Sequence, residues 1–151
     1  MPSEKSCGAI VFAEPGGERQ YLILKHKDGH FDFPKGHMKV GEAEEATAER
    51  EVFEETGIEL LFIAGFKDKI SYFYTREGKK FHKEVIFFLG KAGSQKVIIS
   101  DEHESFFWLT YEKALSILTF ANSKNLLEKA EKFLNASEHP LSDIIKSQKN
   151  F

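Results

Sequence analysis

Three glutamates, Glu51, Glu54 and Glu55, stand at offsets of zero, three and four in the stretch GHMKVGEAEEATAEREVFEETGI, residues 36–58. At helical spacing their carboxylates share one face. They also fall in the last turn before Gly57, a residue suited to ending a helix in the left-handed conformation. Negative charge is unwelcome there. The macrodipole and the like-charge neighbours each oppose it by roughly a few tenths of a kcal/mol. Glu42, Glu44 and Glu45 need no such explanation, because the dipole favours acids at a helix start. Carboxylates kept where local rules oppose them mark a candidate functional site. A cluster of this kind suits a hard divalent cation such as Mg²⁺, which takes oxygen ligands.

The elements around this stretch follow from pattern. Residues 6–13 read as a buried strand, Pro15-Gly16-Gly17 as a turn, and 20–26 as the hairpin partner. Asp28-Gly29 makes a second turn, and Pro34 biases Phe33 to an extended conformation. Lys35 and Gly36 then stand at the lip of the loop that enters the helix. That helix is expected from Glu42–Glu44 to Thr56, with Ala46 and Phe53, flanked by Ala43 and Val52, as its sheet-facing side. Strands are expected over 58–65, 69–75, 81–90, 97–99 and 106–109, with a hairpin tip at 76–80. Residues 101–104 read as an acidic loop. Thr110 caps a short helix. A second helix starts from a cap at Asn122 or Ser123, carries Leu126, Leu127, Ala130, Phe133 and Leu134 at helical spacing, and ends at Pro140. The tail beyond Pro140 gives no firm reading. The order predicts one domain over 1–151, an α+β or α/β arrangement in which a mixed sheet carries helices.

Composition narrows the class. With 41% apolar and 30% charged residues, the chain is an ordinary globular one rather than a disordered one. A net charge of -3 argues against a general nucleic-acid binder but leaves a nucleotide substrate open, since a metal supplies positive charge locally. Cys7 is the single cysteine, so no disulfide framework or cysteine zinc site is expected, which fits a reducing cytoplasm. The start MPSEKS lacks an apolar signal core, and no apolar run is long enough to span a bilayer.

The stretch 36–58 resembles the Nudix box at every constrained position: Gly36, Glu42, Arg50, Glu51, Val52, Glu54, Glu55, Gly57 and Ile58. Pro34-Lys35-Gly36-His37, Gly65-Phe66-Lys67, Asp101-Glu102-His103 and Trp108-Leu109 are similar to motifs of the asymmetric diadenosine tetraphosphate hydrolases within that family. The resemblance implies a mixed β-sheet between helices and Mg²⁺-dependent hydrolysis of a nucleoside polyphosphate, with Mn²⁺ as a substitute. It assigns metal binding to Glu51, Glu54, Glu55 and Glu102, with Glu104 and Glu84 as reserves for the last. Glu51 or Glu54 doubles as the base, Arg50 orients a carboxylate, and Glu42 supports the loop. Lys35, Gly36, His37, Lys83 and His103 fall to the phosphates, and Tyr72 and Phe133 to adenine stacking.

Each assignment has a plainer competitor. The lysines, histidines and Glu102 read equally as solvated surface groups, Arg50 as half of a surface ion pair, Tyr72 as a strand residue and Phe133 as core. For the whole chain the alternatives are a Nudix hydrolase acting on an RNA 5′ end, an oxidised nucleotide or an inositol pyrophosphate, or a Nudix-fold binding module without catalysis. The intact glutamates weigh against the last, because without a cation nothing offsets their repulsion. No stable nucleic-acid or membrane partner is expected, and the oligomeric state is left open.

Overall fold

The computed structural model describes the backbone of residues 2–149 and the side chains of residues 2–137. Seven strands form one mixed sheet: β1 (Ser3–Ala13), β2 (Gln20–His26), β3 (Phe31–Asp32), β4 (Lys35–His37), β5 (Leu60–Arg76), β6 (Lys79–Ala92) and β7 (His103–Leu109). Helix α1 (Glu44–Thr56) lies on one face, and α2 (Tyr111–Ile117) and α3 (Ala121–Lys149) lie on the other. The expected sheet between helices is what forms.

The centre is β1 beside β6, a parallel pair in register from Ser3↔His82 to Phe12↔Lys91. Covered on both faces, β1 is buried from Ser6 to Ala13 and therefore reads as a continuous apolar run rather than an alternating one. On one side of the sheet Ile10, Phe87 and Leu89 meet Leu126, Leu127 and Ala130 of α3. On the other, Val11 and Leu22 meet Val52 of α1. Each fully buried Val or Leu contributes about 1.5–3 kcal/mol relative to exposure.

One departure from a regular sheet creates the site. β1 and β2 pair as the expected hairpin only through Phe12↔Tyr21 and Ala13↔Gln20, and then splay apart. The segment 31–37 fills the wedge. β3 pairs with β2 at Leu24↔Asp32, and β4 pairs with β1 at Ser6↔His37, Cys7↔Gly36 and Gly8↔Lys35. Gly8 is required there, because a Cβ would collide with the Pro34 carbonyl and the Lys35 side chain. The wedge holds Lys35 and Gly36 beside α1.

Several expectations are corrected. Residues 58–65 and 69–75 join in the single strand β5, with a register break between Phe62 and Lys67. Residues 97–99 form no strand. Their backbone instead caps the end of α1, with Ile98 N–H on the Thr56 carbonyl at 2.9 Å and Ser100 N–H on that of Glu55 at 3.1 Å. The sheet-facing side of α1 carries Ala48, Val52 and Thr56, while Ala46 and Phe53 point outward, Phe53 at 54% exposure. The helix is turned so that Glu55 lies on its inner edge. Thr110 precedes α2 without a side-chain cap bond. α3 starts at Ala121, and Ser123 gives its hydroxyl to Asp32 at 2.8 Å instead of capping. Its backbone continues through Pro140 to Lys149, past the proline expected to end it, although a proline lacks the N–H that bonds one turn back and crowds the carbonyl there. Ile144 and Ile145 fall outside the described side chains.

Candidate active site

α1 carries its acids into a network centred on Arg50. The Glu42 carboxylate accepts from Lys39 N–H at 3.1 Å and the Thr47 hydroxyl at 2.6 Å, which ties the loop before α1 to its first turns. Arg50 donates to both Glu42 oxygens at 2.7 and 3.0 Å, to Glu51 at 2.8 Å, to Glu54 at 3.2 Å and to the His37 carbonyl at 2.9 Å. The guanidinium and the Thr47 hydroxyl hold Glu42 down to a pKa of about 2. Hydrogen bonding to Glu42, and then to Glu51, pushes Arg50 above its ordinary range. Arg50 is thus a counter-ion shared by three glutamates. Gly57 ends the helix at φ 74, its N–H returning to the Phe53 carbonyl at 2.8 Å.

The inner carboxylates meet the wedge. The Glu51 carboxylate lies so close to Gly36 that a Cβ there would overlap it. Gly36→Ala therefore displaces Glu51 and is expected to lower any activity that depends on this carboxylate by about tenfold or more, as misplacing a positioned group does, while the fold survives. Parallel activity and circular-dichroism measurements check this. Glu55 is 5% exposed and accepts Lys35 N–H at 3.1 Å. Burial raises its pKa to about 8, and the charges of Glu51 and Glu102 add to the rise. Glu102 reaches this neighbourhood because residues 98–100 are tied to the end of α1. The reserves lie elsewhere: Glu104 pairs with Lys25 at 3.5 Å and Glu84 with Lys69 at 3.9 Å.

Glu51, Glu54, Glu55 and Glu102 offer only carboxylate oxygen, which is what a hard divalent cation takes. Glu55 is buried among other acids, and the Lys35 backbone N–H offsets only part of that burden. The donor set therefore fits such a cation. Among the described residues no three donors already converge on one point, since Arg50 holds Glu51 and Glu54 to itself. Of the two, Glu54 is the more exposed, at 52%.

A cavity of about 220 Å³ opens on the other side of the wedge. Tyr72 and Phe120 stand at its rim, both partly exposed, over a floor of Val85 and Phe87. Asp32 and Lys35 line its polar wall, with Lys35 Nζ 3.7 Å from Asp32. Pockets that enclose drug-sized ligands run to about 300–1,000 Å³, so this one takes a fragment such as a single base. A larger groove of about 910 Å³ lies along the outer side of α1 by Phe53 and Leu61. None of Glu51, Glu54 and Glu55 lines it.

The remaining candidates divide. Lys83 pairs across the strands with Tyr72 and sits 3.6 Å from Glu4. Burial lowers its pKa, with Glu4 opposing and Lys35 assisting. The His37 side chain is exposed beside this lip. Phe133 is away from the cavity. It packs on Phe66, ring centroids 5.6 Å apart, and against Gly65, so the core reading describes it. Phe120, which sequence reasoning missed, lines the cavity together with Tyr72. His103 is also displaced from its expected phosphate role. It is 4% exposed, shares a 3.1 Å hydrogen bond with the Ser100 hydroxyl and sets its ring edge against His26. Burial keeps both imidazoles below their ordinary range, His26 at about 4. His26 stacks on His30 at 3.9 Å, and His30 supports Phe120 at 5.4 Å.

A mixed sheet with a carboxylate helix on one face and a base-sized cleft beside it defines a NUDIX protein, and the chain belongs to that family: the NUDIX domain profile matches residues 4–130. Among its relatives, mouse bis(5′-nucleosyl)-tetraphosphatase [asymmetrical] is 34% identical over 143 residues, spanning 86% of this chain and 95% of the mouse protein. The protein of the same name from Caenorhabditis elegans is 31% identical over 134 residues, 86% and 96% of the two chains. The crystal structure of a C. elegans Ap4A hydrolase binary complex superposes with a TM-score of 0.78 at 30% identity, covering 88% of this chain and 98% of that one. Hydrolases of this family generally require a divalent metal. Among the described residues no helix is long and apolar enough to cross a membrane.

Proposed function

We propose that this protein is a Mg²⁺-dependent hydrolase of dinucleoside polyphosphates that cuts diadenosine tetraphosphate into ATP and AMP. The observation that carries the reading is that a carboxylate helix and a base-sized aromatic cleft lie on either side of one short loop, with Lys35 between them. The two curated relatives named above act on substrates of this kind by name.

One base enters between Tyr72 and Phe120, where stacking tolerates either purine. Lys35 and Lys83 meet the phosphate oxygens as mobile positive charges. Glu51, Glu54, Glu55 and Glu102 would hold a divalent cation, which when bound would supply positive charge against the phosphates and lower the pKa of a water. Glu54 takes the proton of the attacking water, with Glu51 as the other candidate base. Arg50 keeps the carboxylates oriented. Water oxygen bonds to the phosphorus beside one adenosine, and the bond from that phosphorus to the bridging oxygen breaks. ATP leaves and AMP carries the new oxygen.

The test is a panel with Mg²⁺: diadenosine tetraphosphate, capped and triphosphorylated RNA, 8-oxo-dGTP and an inositol pyrophosphate. Diadenosine tetraphosphate is expected to give the highest kcat/KM, and in labelled water the label is expected in AMP alone. Failure to turn it over sinks the reading. Phe120→Ala is expected to raise its KM by roughly ten- to a hundredfold, as loss of one stacked base implies. Phe133→Leu leaves that KM alone.

A further inference from the structure

The β5–β6 ribbon runs on beyond the rest of the sheet. β1 pairs with β6 only as far as Ser3↔His82, while β5 and β6 continue through Tyr74↔Phe81 to Arg76↔Lys79 before the turn at Glu77-Gly78. By strand alternation Tyr72, Tyr74 and Arg76 share one face with Lys79, Phe81 and Lys83. On that face Tyr74 and Phe81 are stacked, ring centroids 5.3 Å apart and planes within 12°. The Arg76 guanidinium lies over Phe81 at 4.9 Å and over Tyr74 at 5.8 Å. Tyr72, at the rim of the base cleft, is 6.4 Å from Tyr74. The rings therefore form a row from the mouth of the cleft to the ribbon tip.

The row is held in place by one acid. The Tyr74 hydroxyl faces the Glu4 carboxylate, which Arg76 reaches at 3.2 Å and Lys83 at 3.6 Å. Such a surface is set before a ligand arrives, which removes part of the ordering cost of binding.

A cross-strand aromatic pair also steadies a hairpin by itself. The opposite face has its own, Phe73 with His82 at 5.0 Å, under Lys80 at 4.9 Å. What sets the Tyr74 face apart is its continuity with Tyr72 and Lys83. The cleft holds one base, and a dinucleoside polyphosphate has two.

We propose that the Tyr74–Phe81–Arg76 surface is the subsite for the second nucleoside of a dinucleoside polyphosphate. The inference rests on the substrate reading above. The first base occupies the cleft, the phosphates pass Lys35 and Lys83, and the second base stacks along the row beside Arg76. Lys79 adds charge at its outer end. Stacking reads a π-face rather than a base edge, so guanosine serves as well as adenosine. A phosphate chain too short to reach past Lys83 forfeits the contact.

The test compares kcat/KM for diadenosine tetraphosphate with that for adenosine 5′-tetraphosphate, which lacks the second nucleoside. In Phe81→Leu and in Arg76→Gln the ratio of the two is expected to fall about tenfold from its wild-type value, within what one stacked base contributes. Phe73→Leu removes a similar aromatic contact from the opposite face and is expected to leave the ratio where it was. An unchanged ratio in the first two variants, or an equal fall in the third, overturns the subsite. If the wild type does not hydrolyse diadenosine tetraphosphate, the substrate reading falls separately. Calorimetric titration of both nucleotides into Glu54→Gln protein then decides the subsite. The dinucleotide must bind more tightly than the mononucleotide, and Phe81→Leu must erase the difference; any other result overturns it.

Discussion

Glu54→Gln is expected to yield a folded protein whose hydrolysis of diadenosine tetraphosphate is slower by about three orders of magnitude, the middle of the range for loss of a positioned base. Glu54 is half exposed, and its contact with Arg50 is a 3.2 Å bond at the surface. Exposed ion pairs of this kind contribute about 1 kcal/mol or less. The amide keeps the shape of the side chain and removes its charge and its proton affinity. Thermal unfolding without metal should therefore stay within a degree or two of wild type while kcat collapses. A rate within tenfold of wild type moves the base to Glu51. That residue makes a poorer test, since Glu51→Gln also disturbs the 2.8 Å bond to Arg50 and the contact with Gly36.

Glu55→Gln is expected to change how stability depends on pH. In the metal-free protein the Glu55 pKa stands at about 8 against an ordinary 4.5, raised first by burial and then by Glu51. Between those two values the folded chain keeps a proton that the unfolded chain has released. Stability is therefore full below about pH 4.5 and falls as pH rises, until the folded carboxyl also ionises near 8. The loss is on the order of 5 kcal/mol. The amide of the variant has no such proton to lose, so the variant holds its stability across this window and at pH 8 in EDTA is the more stable of the two. Mg²⁺ stabilises the ionised form and flattens the wild-type curve, while the variant gains far less from it. Denaturant titrations at pH 5 and pH 8, with EDTA or Mg²⁺, check both statements. Parallel wild-type and variant curves in EDTA remove Glu55 as the cause.

The parts legible in sequence were those whose side chains answer to a period or a fixed spacing. Glu51, Glu54, Glu55, Arg50 and the Gly57 stop define α1 without any tertiary information, and β1, β2 and the ribbon tip follow from apolar runs and turn residues. The face that α1 presents was not legible. Phe53 looks like core by hydropathy, yet it faces outward because the wedge draws Glu51 and Glu55 inward. Phe120 had no signal of its own. It sits in the short connection between α2 and α3, one of 15 phenylalanines, and only the folding of that connection over the sheet brings it to the cavity that Tyr72 also lines. Phe133 had a helical period, and the period reported core. His103 follows a turn of two acidic residues and falls to the phosphates by resemblance, but it opens β7, is buried, and pairs with His26 at the bulge in β7. Residues 97–99 carry a strand composition and spend it on capping α1, a partnership between segments some forty residues apart in sequence.

The Arg50 fork bears on how the protein matures. A zinc finger stays unfolded until its ion arrives, because nothing else draws its ligands together. Here a guanidinium made by the chain itself balances Glu42, Glu51 and Glu54 from the moment α1 forms. The newly made polypeptide is therefore expected to complete its fold before any cation binds, with loading as a late, reversible event. Protein stripped with a chelator should keep its shape in storage and regain activity when cation is restored, with no refolding step between.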